Sequence, residues 1–310
     1  MPETLTWSPT AVLSIPEVAL APASEVPVHD ALVPGTRLDE FEIIRVLGAG
    51  GFGIVYLALD HVLLRYVAIK EFMPASLAGR RAGLTVAVRS PGHAETYAAG
   101  LESFFNEARM LASFDHPSLV KVYRFWKANG TAYMAMQYYP GRTLREARAE
   151  LQGPPDEAWL RGFVEPLLGA LETLHAGDVY HRDIAPDNIL LLPDGRPVLL
   201  DFGSARRVIG DRSQSITAIL KPNFAPIEQY GDEPGMRQGP WTDLYALGAT
   251  VHFMLTGQAP VPAVLRAVRD TLRVLDDPAT VTFPGVSRAL LATVDWTLAL
   301  SPDDRPQSVA

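Results

Sequence analysis

The stretch Leu47-Gly48-Ala49-Gly50-Gly51-Phe52-Gly53-Ile54-Val55, followed closely by Tyr66-Val67-Ala68-Ile69-Lys70, decides the reading of this chain. Glycine lets a main chain approach a ligand closely, so that exposed amides can donate to phosphate oxygens. Taken alone, the pattern is weak evidence, since a glycine-rich hairpin turn also accounts for it. Two other phosphate-binding patterns fall away. A dinucleotide site needs a helix directly after the glycines, whereas Ile54-Val55-Tyr56-Leu57-Ala58-Leu59 alternates like a strand. No Gly-x-x-x-x-Gly-Lys-Ser/Thr occurs either.

Working outward, Phe41-Glu42-Ile43-Ile44-Arg45-Val46-Leu47 precedes the glycines, so three β-rich runs lie in succession and predict an antiparallel sheet. Residues 72–100 are rich in Ala, Gly and Arg and read as an insertion, either an added hairpin or a regulatory docking surface. Leu101, Phe104, Phe105, Ala108, Leu111 and Ala112 then recur at three- and four-residue steps and predict an amphipathic helix. Two further strand-like runs, 120–126 and 132–139, end at Pro140-Gly141. Helices dominate thereafter. Leu160, Phe163, Val164, Leu167, Leu168, Leu171 and Leu174 form one apolar stripe, in which Pro166 predicts a kink or a later helix start. A strand-rich first part joined near residues 138–142 to a strand-poor second part predicts two unlike lobes of an α+β protein. Residues 1–37, with Pro2, Pro9, Pro16, Pro22, Pro27 and Pro34 and no sustained period, read as a flexible leader.

Composition narrows the function. The 310 residues carry 27 Lys and Arg against 35 Asp and Glu, a formal charge of −8, which argues against a general nucleic-acid binder. Any anion site must be local. There is no cysteine, so disulfides, zinc-thiolate sites, iron–sulfur clusters and a thiol nucleophile are excluded. The first Arg is Arg37, and no charged start plus apolar core of a secretory signal precedes it. No apolar run reaches the roughly 18 residues of a spanning helix, and the expectation is a cytoplasmic chain without a membrane segment.

Strand, glycines, strand and then Val67-Ala68-Ile69-Lys70 is the order in which the chain resembles the protein-kinase family, from about Leu38 to its last residue. The resemblance implies a bilobal α+β fold: a small antiparallel β-sheet lobe with one key helix at about 38–138, and a larger, mainly helical lobe at about 139–310. ATP and Mg²⁺, with Mn²⁺ as an alternative, would lie between them, and the partners would be protein substrates. Leu47, Gly48, Ala49, Gly50, Gly51, Phe52 and Gly53 would cover the phosphates, and Lys70 would hold them while pairing with Glu107 on the helix behind. The hinge would be Tyr133-Met134-Ala135-Met136-Gln137-Tyr138-Tyr139, with the Gln137 carbonyl and the Tyr139 amide on the adenine edge and Met136 setting pocket depth. Val55, Ala68 and Leu190 would sandwich the ring.

The cluster His181-Arg182-Asp183-Ile184-Ala185-Pro186-Asp187-Asn188 is followed by Leu199-Leu200-Asp201-Phe202-Gly203. Phosphoryl transfer needs charge neutralised by metal ions on oxygen ligands, which Asn188 and Asp201 would supply, while Asp183 would accept or orient the proton of a substrate hydroxyl. As isolated residues these are a turn former and a loop carboxylate. Asp183 and Asn188 five residues apart, with Asp201 thirteen further on, are not an accidental pattern. His181 and His175 read as packing or capping residues rather than ligands. Phe224-Ala225-Pro226-Ile227-Glu228 resembles the end of a kinase activation segment, and Asp243 an anchor for the catalytic loop. Arg305 would form a buried ion pair with Glu228. The chain ends five residues after Arg305, which leaves room for a regulatory or membrane-anchoring part beyond it.

Two departures stand out. Ser/Thr kinases usually carry Lys two residues after the catalytic Asp, where this chain has Ala185, and usually have Thr seven residues before the Glu matched by Glu228, where it has Lys221. Lys221 is expected to replace the missing ammonium group. Arg182 before Asp183 goes with control by phosphate, for which Ser204, Ser213, Ser215 and Thr217 are candidates beside Arg206, Arg207 and Arg212. Two alternatives to an active bacterial-type Ser/Thr protein kinase with autophosphorylation remain: a pseudokinase that senses nucleotide or acts as a scaffold, favoured by Ala185, and a small-molecule phosphotransferase of related fold.

Overall fold

The computed structural model describes residues 29–81, 83–202, 221–231, 236–277 and 282–310. Six strands form one antiparallel sheet: β1 (Arg37–Leu38), β2 (Phe41–Gly50), β3 (Gly53–Asp60), β4 (Arg65–Phe72), β7 (Val122–Ala128) and β8 (Thr131–Gln137), in the order β1-β2-β3-β4-β8-β7. Gly50 pairs with Gly53, so the glycines form the tip of the β2–β3 hairpin. The register sets Val55 opposite Lys70, Lys70 opposite Met134 and Ala68 opposite Met136. On a pleated strand residues two apart share a face, so Ala68 and Lys70 look the same way.

The insertion is a hairpin of β5 (Ala78–Arg80) and β6 (Val86–Val88), followed by helix α1 (Ala94–Ala112). Periodicity placed the helix start at about residue 101. The first turns, Ala94 to Gly100, carry too few large apolar residues to show a stripe. Tyr97, Phe104, Ala108 and Leu111 are buried, and Phe72 packs on both Tyr97 and Phe104 with ring centroids 5.3 and 5.7 Å apart. The same face also buries Glu107.

The second lobe is helical: α2 (Leu144–Glu150), α3 (Glu157–His175), α4 (Pro240–Thr256), α5 (Ala263–Val268) and α6 (Arg288–Thr297). Thr143 caps α2 reciprocally with Glu146, and the Asp156 side chain accepts from the Trp159 amide to start α3. The helix runs through Pro166 from Glu157, so it does not start late. Its stripe of Leu160, Phe163, Leu167, Leu171 and Leu174 is buried, worth roughly 1.5–3 kcal/mol for each large side chain. Against it lies α4, apolar on all sides and buried from Thr242 to Leu255. The short strands β9 (Arg142–Thr143), β10 (Ile189–Leu191) and β11 (Pro197–Leu199) form a second small sheet. A bridge between Leu119 and Leu199 and the bond from the Leu199 amide to the Ser118 carbonyl, 2.8 Å, tie it to the first lobe.

Residues 29–37, assigned to the leader by composition, dock on the sheet. Leu32 is buried and donates its amide to the Tyr56 hydroxyl (3.1 Å), and Asp30 accepts from the Arg80 amide (3.0 Å). Arg80 meets Glu71 at 2.6 Å, and Tyr56 donates to the same carboxylate at 2.8 Å. No helix among the described residues is long and apolar enough to cross a membrane.

Candidate active site

The loop between α3 and β10 carries Asp183 and Asn188, and one buried carboxylate holds it. Asp243 of α4 accepts from the amides of His181 (2.8 Å) and Arg182 (2.6 Å), while His175 bonds the same carboxylate at 3.0 Å. Arg182 takes φ +65°, a left-handed conformation uncommon for a side-chain-bearing residue, and its two-sided attachment holds it there. His181 is buried and stacks on Phe202 with centroids 4.7 Å apart. Its Nε2 lies 2.6 Å from the Leu200 carbonyl and its Nδ1 accepts from the Asp183 amide at 3.3 Å, which defines a neutral ring protonated on Nε2. Burial lowers its pKa below the ordinary histidine value, against the pull of Asp243 and Asp183. Histidine here positions the loop and does not face the cleft as a base.

Asn188 donates through Nδ2 to the Asp183 carbonyl and to Asp183 Oδ2, both at 2.7 Å. The nitrogen end of the amide is thereby committed, and its oxygen is the donor atom left for a cation. Across the cleft, Lys70 Nζ lies 2.9 Å from Asp201 Oδ1 and 3.2 Å from Glu107 Oε1. Desolvation works to lower the Lys70 pKa, but the two carboxylates outweigh it and hold the ammonium above its ordinary value. Asp201 takes φ +21°, at the edge of the left-handed region.

The glycines divide into two kinds. A Cβ at Gly53 would lie 2.6 Å from the Glu71 carbonyl oxygen of β4, so only glycine fits the approach of the strands. At Gly48, Gly50 and Gly51 a Cβ would meet nothing within 4 Å, and the hairpin tip leaves open space beside its backbone. Ala68 and Met136 are buried register partners, and Val55 and Leu190 are half-buried. Gln137 closes β8, with its amide bonded to the Lys121 carbonyl at 2.8 Å.

Glu228 and Arg305 form a fully buried pair at 2.8 Å, with Thr242 adding a hydrogen bond to the same oxygen at 2.9 Å. Lys221 Nζ lies 4.0 Å from Asp183 Oδ1. Gly203, Ser204, Arg206, Arg207, Arg212, Ser213, Ser215 and Thr217 fall outside the described residues. Sequence reasoning missed the Arg145 guanidinium, which grips Asp187 at 2.5 and 2.9 Å and pins the loop of Asp183 and Asn188 to α2. Asp187 inside an already suspicious loop was the available signal; nothing local to Arg145 marks it. The Tyr56–Glu71–Arg80 network behind Lys70 was missed as well.

The chain matches the protein kinase domain family over residues 41–309. It is 31% identical over 233 residues to the serine/threonine-protein kinase PknA of Nostoc sp., covering 72% of this chain and 38% of that protein. To the serine/threonine-protein kinase F of Synechocystis sp. it is 30% identical over 272 residues, covering 84% and 52%. The chain thus spans about half or less of the length of these relatives. Among solved structures, PpkA-294 in its apo form superposes with a TM-score of 0.84 at 48% identity, over 90% of this chain and 97% of the other. The kinase domain of Mycobacterium tuberculosis PknI, at 23% identity and a TM-score of 0.62, shares the fold. By this match and these relatives, the chain belongs to the protein kinase family, among bacterial serine/threonine kinases.

Proposed function

We propose that this chain transfers the γ-phosphoryl group of ATP to Ser or Thr hydroxyls of proteins, acts in the cytoplasm, and phosphorylates its own segment at Ser213, Ser215 or Thr217. What supports the reading is that Lys70 bridges Asp201 and Glu107 while Asn188 fixes Asp183, with the Leu200 amide beside Asp201 bonded to the Asn188 carbonyl at 2.8 Å. Asp183 then accepts the hydroxyl proton as attack proceeds, and the bond from Asn188 keeps its Oδ2 aimed. Lys70 binds the phosphates and is held in place by Glu107. The open side of Gly50 and Gly51 lets main-chain amides approach the same phosphates.

The donor set fits a hard divalent cation. Asp201 and the Asn188 amide oxygen, both hard oxygen donors, would hold Mg²⁺ or Mn²⁺. Bound there, the ion supplies charge neutralisation on the phosphates.

The test offers γ-labelled ATP with a generic protein and with aminoglycosides to the wild type and to Asp183→Asn. Label should enter the protein and this chain itself, not the aminoglycoside, and Asp183→Asn should lower the rate by about 10²–10⁴-fold. Equal, negligible rates for both would favour the second reading, a nucleotide-binding module without turnover, to which Ala185 lends support. Mass spectrometry after incubation with Mg-ATP should find phosphate between residues 203 and 220.

A further inference from the structure

We propose that Lys221 is a catalytic residue, supplying from the activation segment the ammonium group that Ala185 cannot. The proposal rests on the protein-kinase reading of the site. Ala185 is fully buried and ends in a methyl group, so the catalytic loop brings no cation of its own two residues beyond Asp183. Two other cations of the site lie against carboxylates, Lys70 against Glu107 and Asp201, and Arg145 against Asp187. Lys221 Nζ stands 4.0 Å from Asp183 Oδ1, on the opposite carboxylate oxygen from the one Asn188 holds.

Its placement is built rather than accidental. The Lys221 carbonyl accepts from the amides of Phe224 (2.8 Å) and Ala225 (3.0 Å), which folds the backbone into a turn. Asn223 Nδ2 donates to the Pro260 carbonyl at 2.7 Å, and Phe224 is buried edge-on to Phe253. Gln229 Nε2 donates to the Arg182 carbonyl at 2.9 Å, so this segment and the catalytic loop are bonded directly. The side chain itself is only 22% exposed. A base within about 3 Å of the attacking oxygen puts the transferring phosphoryl group little further off, so an ammonium beside that base lies within reach of the oxygens that carry the charge.

In the step, the substrate oxygen forms a bond to Pγ and the bond from Pγ to the β,γ-bridging oxygen breaks. Its electron pair departs with ADP. The hydroxyl proton passes to Asp183, and the Lys221 ammonium keeps its protons throughout, offsetting charge on the equatorial oxygens.

The test compares wild type, Lys221→Met and Lys221→Arg in steady-state transfer to a generic protein, and in binding of Mg-ADP with and without aluminium fluoride as a mimic of the transferring group. Lys221→Met should keep its melting temperature and its KM for ATP, lose about 100-fold in kcat, and lose a similar factor in affinity for the fluoride complex but not for ADP. Lys221→Arg should fall between. If Lys221→Met melts low, Lys221→Gln carries the same comparison. A wild-type kcat in the folded variant, or equal loss of affinity for ADP with and without fluoride, overturns the proposal. A wild type that labels no protein, itself included, overturns the kinase reading beneath it, a result distinct from active enzyme with a silent Lys221.

Discussion

Gly51 and Gly53 sit two residues apart in one hairpin and answer to different constraints. Gly53 faces the carbonyl of Glu71, and an added methyl group has to push two strands apart; Gly51 faces open space. Gly53→Ala is therefore expected to lower stability by about 1–3 kcal/mol, the scale of overpacking, while Gly51→Ala leaves stability unchanged and raises the KM for ATP. Thermal unfolding of both variants, set beside their ATP kinetics, checks the division; equal melting temperatures would refute it. At this scale the pairing of Lys70 with Glu107 and the closeness of Asp183 and Asn188 were legible, because each belongs to a short pattern whose spacing is imposed by a strand, a helix face or a loop. Arg80, Asp30 and Arg145 were not. Asp30 and Arg80 are 50 positions apart, Arg145 and Asp187 are 42 apart, and no local period connects such partners.

Between elements, the pair Glu228–Arg305 fastens the end of the activation segment to the last loop, and the Arg305 guanidinium also lies over the Tyr245 ring at 4.7 Å. Removing one partner strands a charge in a dry site. Arg305→Leu should cost about 3–5 kcal/mol in denaturant unfolding, and adding Glu228→Leu should recover much of it. Additive losses in the double variant would contradict this account. The helix and strand pattern of the sheet was readable from alternation and stripes. The first turns of α1 were not, since an Ala- and Gly-rich start carries no apolar stripe. Nor did Pro166 interrupt α3, whose buried Leu and Phe side chains favour continuing the helix over breaking it at the ring.

Over the whole molecule, α4 is the element on which the second lobe closes, and it buries His252 as well as Asp243. Burial pushes the His252 pKa down to about 4 from its ordinary 6.5. The unfolded chain therefore binds a proton there between about pH 6.5 and pH 4 that the folded chain refuses, so stability falls as pH drops through that window. A shift of this size corresponds to about 3 kcal/mol, and His181 adds in the same direction. Melting curves across that range should show a shallower decline in His252→Gln than in the wild type; parallel declines would rule His252 out as a contributor. The two-lobe plan was legible from where strands give way to helices, whereas the docking of residues 29–37 was hidden by a proline-rich composition that reads as loose chain.

That docked segment has a practical corollary for anyone trimming the protein. A version beginning at Leu38 would discard Leu32 and Asp30, uncover the apolar patch beneath Leu32, and strip Arg80 of the bonds it donates to Asp30, which steer its guanidinium toward Glu71, the immediate neighbour of Lys70. The amputated form should yield poorly and melt early even though every motif in the cleft is still present.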